Sequence, residues 1–163
     1  MQNVNKITEK INSKQLIFIA SDHAGYEMKE NIIKFLEKKY DVQNLGCNSA
    51  DSVDYPDYAV DVAKKIIKNI SKYPNCKGIL VCGTGSGMTI TANKIKGIRA
   101  VNCFNSEMAE MAIKHNDANI LCLGARILQF DAIKSIVDVF LNSEFESGRH
   151  QIRINKIHNL TEN

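Results

Sequence analysis

The sequence predicts an α/β domain, an open five-stranded parallel sheet packed between helices, and three features of the chain point to it. Five short apolar runs, Leu16–Ala20, Val42–Leu45, Gly78–Cys82, Arg99–Cys103 and Asn119–Leu123, alternate with longer segments of helical period. The runs are continuous rather than alternating in polarity, the habit of strands covered on both faces by crossover helices. The chemically versatile residues follow the runs directly, where parallel α/β sheets collect their ligands.

The elements follow in order. After the first run comes Ser21-Asp22-His23-Ala24-Gly25, then Tyr26–Lys39, in which Ile32, Ile33 and Leu36 recur at helical spacing. Ala59, Val62, Ala63, Ile66, Ile67 and Ile70 keep i, i+3, i+4 spacing and give a second helix one apolar stripe. The third run leads into Cys82-Gly83-Thr84-Gly85-Ser86-Gly87-Met88 and a helix behind it. His115-Asn116-Asp117 closes a fourth helix just before the fifth run, which ends on Gly124-Ala125-Arg126. Ile133, Ile136, Val137, Phe140 and Leu141 stripe a fifth helix, and Gly148-Arg149-His150-Gln151-Ile152-Arg153 opens a final helical segment. The expected organisation is a flexible extension over residues 1–14 and a single domain over 15–163 with a C-terminal helical tail.

The 163 residues suffice for one self-supporting core. A net charge of +3, with basic residues spread along the chain, argues against a nucleic-acid partner, which would face a concentrated basic patch. No apolar stretch approaches the roughly 20 residues that cross a bilayer. The five cysteines, Cys47, Cys76, Cys82, Cys103 and Cys122, are odd in number, form no CxxC pair and follow no secretion signal. A reducing cytoplasm is therefore the expected location.

The strongest local signal is the loop Gly83, Thr84, Gly85, Ser86, Gly87. Three glycines in five positions let a backbone turn tightly and aim several N–H groups at one anion. The spacing is neither the dinucleotide G-x-G-x-x-G nor a Walker loop; a plain tight turn would use the same glycines. Cys82 leaves the strand beside that loop, where a thiol can serve as base or nucleophile, although most strand-end cysteines are buried hydrophobes. Asp22 and His23 face the same mouth. Arg149 and Arg153, four apart on one helical face, suit a phosphate or a surface salt-bridge face. His115 stands at a helix C-terminus, where the dipole alone would favour it. The four histidines are scattered and form no ligand pair with acidic or thiol residues, so no metal site and no cofactor are expected.

Seven stretches in order, Ser21–Tyr26, Asp54–Ala59, Cys82–Gly87, Ala92–Lys94, Gly97–Ala100, His115–Asn119 and Gly148–His150, resemble the type B ribose-5-phosphate isomerases, a family that includes galactose-6-phosphate isomerase subunits. The resemblance implies a Rossmann-like three-layer sandwich, a homodimer (possibly paired into a tetramer) with two shared active sites, and interconversion of ribose 5-phosphate and ribulose 5-phosphate in the pentose phosphate pathway. It implies Cys82 as the base that moves a proton between carbons 1 and 2, and Thr84 as a shuttle on the sugar oxygens. His115 would open the furanose ring, with Asp22 and Tyr55 holding the substrate. Asn116 and the amides of Gly83 to Gly87, with Ser86 among them, would bind the enediolate. His23, Arg126, Arg149 and Arg153 would hold the phosphate. Such a reaction moves only protons, and preorganised N–H donors stabilise its enediolate charge. The N-terminal extension is longer than the family usually has, and the other cysteines match no family role. A hexose-6-phosphate isomerase shares this chemistry, and a non-catalytic phosphate-binding module would keep the glycine loop but has no use for Cys82 and His115 together.

Overall fold

A computed structural model describes residues 14–161, so the expected flexible extension lies, Lys14 apart, outside the described residues. Five strands, β1 (Leu16–Ser21), β2 (Asp41–Asn44), β3 (Lys77–Cys82), β4 (Ala100–Asn102) and β5 (Ile120–Gly124), form one sheet in the order β2-β1-β3-β5-β4. Every neighbouring pair is parallel. The helices are α1 (Tyr26–Leu36), α2 (Tyr55–Asn69), α3 (Ser86–Ala92), α4 (Ser106–Asn116), α5 (Phe130–Asn142) and α6 (Arg149–Thr161).

The three-layer sandwich follows from the alternation of side chains along buried strands. Ile17, Ile19, Ile79, Val81, Leu121 and Leu123 point to one face and meet α1, α4 and α5 through Ile32, Leu36, Ile113, Ile133 and Phe140. Leu16, Phe18, Ala20, Leu80, Ile120 and Cys122 point to the other and meet α2 and α3 through Val62, Ala63, Ile66, Met88 and Ala92. The inner strands β1 and β5 are buried at every position, as continuous apolar runs require, and β3 at all but Lys77.

The edges differ from the sequence expectation. β2 begins at Asp41 rather than Val42 and is largely exposed, because it pairs on one side only. β4 shrinks to Ala100–Asn102, and the Cys103 N–H just past its end bonds to the Cys122 carbonyl of β5 at 3.3 Å. The first helix stops at Leu36 instead of Lys39, the chain turning there through the Lys39 and Tyr40 N–H bonds to the Leu36 carbonyl at 2.9 and 3.0 Å. Among the described residues no helix is long and apolar enough to cross a membrane.

Candidate active site

The C-terminal edge of the sheet gathers three βα loops. After β1, Asp22 caps a short 3-10 turn, its Oδ1 accepting the Gly25 N–H at 3.0 Å. A Cβ on Gly25 would stand 2.4 Å from the Val81 carbonyl oxygen, so this turn can press against β3 only with glycine there. His23 Nδ1 accepts the Val53 N–H at 3.2 Å, which leaves Nε2 to carry the ring proton and ties the loop before Tyr55 to this turn.

After β3, the glycine loop folds over the end of its own strand. Gly85 takes the left-handed conformation at φ 84° and donates its N–H to Cys82 Sγ at 3.1 Å, pinning the sulfur beneath the loop. The Ser86 N–H reaches Thr84 Oγ1 at 3.4 Å, so these two amides serve the loop itself here. Thr84 and Ser86 are exposed at the rim, and Cys82 lies 5% exposed below them. Tyr55, first residue of α2, lies across Gly87, where a Cβ would stand 2.6 Å from the ring. After β5, the Arg126 N–H donates to the Gly83 carbonyl at 3.0 Å and its guanidinium lies along Gly83. Asp22, His23, Tyr55, Cys82, Gly83, Thr84, Gly85, Ser86, Gly87 and Arg126 thus share one mouth.

His115, Asn116, Arg149 and Arg153 do not join them. Because β4 and β5 are parallel, α4 runs back across the sheet and delivers His115 and Asn116 to the opposite edge, about 16 Å along the strand direction for its 11 residues. There Lys77 Nζ, at the start of β3, donates to the Ala118 carbonyl at 2.7 Å. Asn116, Arg149 and Arg153 are exposed.

Several residues of this second cluster carry no role in the sequence expectation. Arg99 clamps the end of α4: Nε donates to the Asn116 and Asp117 carbonyls at 3.0 and 2.9 Å, and Nη2 reaches Asp117 Oδ2 at 2.7 Å. Its motif is visible in the sequence, but not the helix end that it caps, where Asp117 takes the left-handed conformation at φ 45°. Arg99→Met is expected to cost about 1.5–3 kcal/mol. Most of the loss comes from the carbonyl bonds, because the Asp117 carboxylate is partly exposed. At roughly 2–4 °C per kcal/mol for a chain of this size, thermal unfolding should drop by about 3–12 °C.

The absence of a histidine–acid ligand pair also needs correction. The fold brings His115, Glu146 and His150 together, with Glu146 Oε2 standing 3.9 Å from His115 Nε2 and 3.8 Å from His150 Nε2. Those gaps exceed the ~3.3 Å between tetrahedral ligands with bonds near 2.0 Å, and the parallel rings do not converge on one point, so the cluster as built is not a metal cage. Of the other cysteines, burial pushes the Cys103 thiol up to about 11 and Cys122 to about 12, leaving both as neutral hydrophobes. On the apical side, Asn102 Nδ2 donates to the Thr84 carbonyl at 3.1 Å and steadies the loop from β4.

A parallel sheet between two helical layers, with a cysteine and a glycine loop at its C-terminal edge, defines an α/β domain of the Rossmann-like class whose ligands bind at that edge. The chain belongs to the ribose/galactose isomerase family, whose sequence pattern matches residues 17–157. A ribose-5-phosphate isomerase B from Clostridium thermocellum is 45% identical, with TM-score 0.85 over 90% of this chain and 97% of that one. That of Mycoplasma genitalium, solved with bound ribulose-5-phosphate, is 44% identical, with TM-score 0.84 over 90% and 96%. Ribose-5-phosphate isomerase B of Escherichia coli (strain K12) is 39% identical over 142 residues, 86% of this chain and 93% of that one.

Proposed function

We propose that this protein interconverts ribose 5-phosphate and ribulose 5-phosphate as a homodimer, each active site joining the Cys82 mouth of one copy to the His115 end of the other. The observation that carries this reading is the Cys82 sulfur held by the Gly85 N–H at 3.1 Å under a glycine loop at the C-terminal edge of the sheet. In the proposed mechanism His115 opens the furanose by protonating the ring oxygen as its bond to carbon 1 breaks, while solvent water takes the O1 proton. Cys82, as thiolate, removes the proton from carbon 2 of the open-chain aldose. The resulting enediolate is held by backbone amides of the loop and by Asn116, and the proton returns to carbon 1. Thr84 carries the proton between O2 and O1, with Asp22 and Tyr55 fixing the sugar hydroxyls. His23, Arg126, Arg149 and Arg153 grip the phosphate away from the reacting carbons, so their binding energy goes into orientation.

Two observations support the second copy. The two halves of the residue set stand at opposite edges of one sheet, too far apart to meet on one sugar. Ile90, Ile152 and Leu160 are also 64%, 65% and 77% exposed, apolar surface that an isologous partner would cover. A cytoplasmic location is proposed from five free cysteines, all buried.

The test is to incubate the purified protein with ribose 5-phosphate and chelator in deuterated water and follow proton NMR. Ribulose 5-phosphate should accumulate, with some deuterium entering at carbon 1 or 2. Without conversion by intact dimers, the assignment to ribose 5-phosphate fails and hexose 6-phosphates become the next substrates to try.

A further inference from the structure

At the His115 end, one side chain with no role in the proposed mechanism is built more tightly than the residues that have one. The His150 imidazole is 5% exposed and lies flat on that of His115, ring centroids 4.3 Å apart and planes 8° apart. His115 itself is open, its side chain 37% exposed. His150 is fixed from several sides. Its backbone N–H donates to the Ser147 carbonyl at 3.1 Å, and Arg149 Nε donates to the ring Nε2 at 3.4 Å. Glu146, whose own N–H is anchored on the Lys114 carbonyl at 3.1 Å, stands beside both imidazoles.

Resting on the ring-opening role proposed for His115, we propose that His150 is a positioning residue: its fixed, neutral imidazole is the platform that holds the His115 ring in one plane. Geometry argues for neutrality. A guanidinium can only donate, so the Nε2 that faces Arg149 must be the acceptor nitrogen, and the His150 proton sits on Nδ1. The groups around it agree. Burial, then the charges of His115, Arg149 and Arg153, hold its proton affinity below the usual histidine range, and only Glu146 works the other way.

The platform matters because His115 lies in the last turn of α4, its side chain 37% exposed and free to turn about two rotatable bonds. A proton donor displaced by about 1 Å can lose on the order of 10²-fold in rate.

Ring opening can be read apart from isomerisation. On a Cys82→Ala background, exchange between the α and β anomers of ribose 5-phosphate, followed by exchange NMR, requires the ring to open but no carbon-bound proton to move. The Cys82→Ala protein should accelerate that exchange, and adding His115→Ala should remove the acceleration. Adding His150→Ala instead should lower the saturating exchange rate about tenfold, with half-saturation moving less than about threefold. His150→Phe, which restores a flat neutral ring, should recover the rate to within about threefold. His150→Leu, which fills the site without a plane, should stay as slow as Ala and replaces it if the Ala variant does not fold.

Unchanged saturating exchange in His150→Ala would overturn the inference, as would a loss confined to half-saturation, the signature of a displaced Arg149. So would a Leu variant as fast as Phe, or a Phe variant as slow as Ala. If His115→Ala leaves the acceleration intact, the ring-opening role of His115 is what fails, and the platform has nothing to support.

Discussion

Cys82→Ala is expected to lower kcat for ribose 5-phosphate isomerisation by about 10³-fold or more, near the upper part of what a positioned base contributes. KM should hold within about threefold, because the role proposed for the sulfur is on a carbon-bound proton and not on the phosphate or hydroxyl contacts. The fold should survive. Cys82 is buried at the end of β3, and alanine removes one atom from a site that tolerates a smaller side chain. One cost is specific. The Gly85 N–H loses its acceptor, and an unsatisfied buried donor is worth about 1–3 kcal/mol. Cys82→Ser separates the two effects. Its hydroxyl can still accept from Gly85, so thermal stability should return most of the way, but it is a far weaker acid than a thiol and should leave the enzyme inactive. Activity in either variant would move the base elsewhere and leave the fold untouched.

Much of the mouth was legible because parallel α/β topology places function directly after strands. Ser21 to Gly25, Cys82 to Gly87 and Gly124 to Arg126 follow β1, β3 and β5, and one rule about strand ends collects them without any knowledge of pairing order. Tyr55 was legible only through family resemblance; its contact with Gly87 spans two elements and leaves no local periodicity. The strands that read well are those buried on both sides. At the edges, where pairing is one-sided, β2 and β4 drifted from their apolar runs.

The other half was legible residue by residue but not as an arrangement. His115 and His150 are carried by α4 and α6, and nothing in either helix's pattern says that the two rings stack. Arg99 is a basic residue at a strand start until its partners are known; in place, it is the clamp that sets where α4 ends and hence where His115 points. Asn102, likewise, reads as a polar strand residue, yet it holds the Thr84 carbonyl. Each of these depends on contacts between elements distant in the chain, and side-chain type alone does not encode them.

Mixing inactive variants should restore activity, and this is the largest gain predicted. Each proposed site takes Cys82 from one copy and His115 from its partner, so Cys82→Ala and His115→Ala homodimers both lack a complete site. In a mixed dimer, one site receives both substitutions and the other receives neither. Equal amounts of the two chains, after subunit exchange by mild denaturation and refolding, give about half mixed dimers under C2 pairing, each with one intact site of two. Activity should therefore rise from near zero to about one quarter of the unmutated value per chain. Each pure variant taken through the same cycle sets the baseline. The same topology fixes which pairs complement. Cys82→Ala with Arg126→Ala should not, since β3 and β5 deliver both residues to the same mouth of the same copy and a mixed dimer then carries one defect in each site. Recovery in the first pair and none in the second would locate the active site between subunits. Failure of the first pair after verified exchange would mean that one chain completes its own site, which the α4 direction cannot accommodate without refolding that helix end.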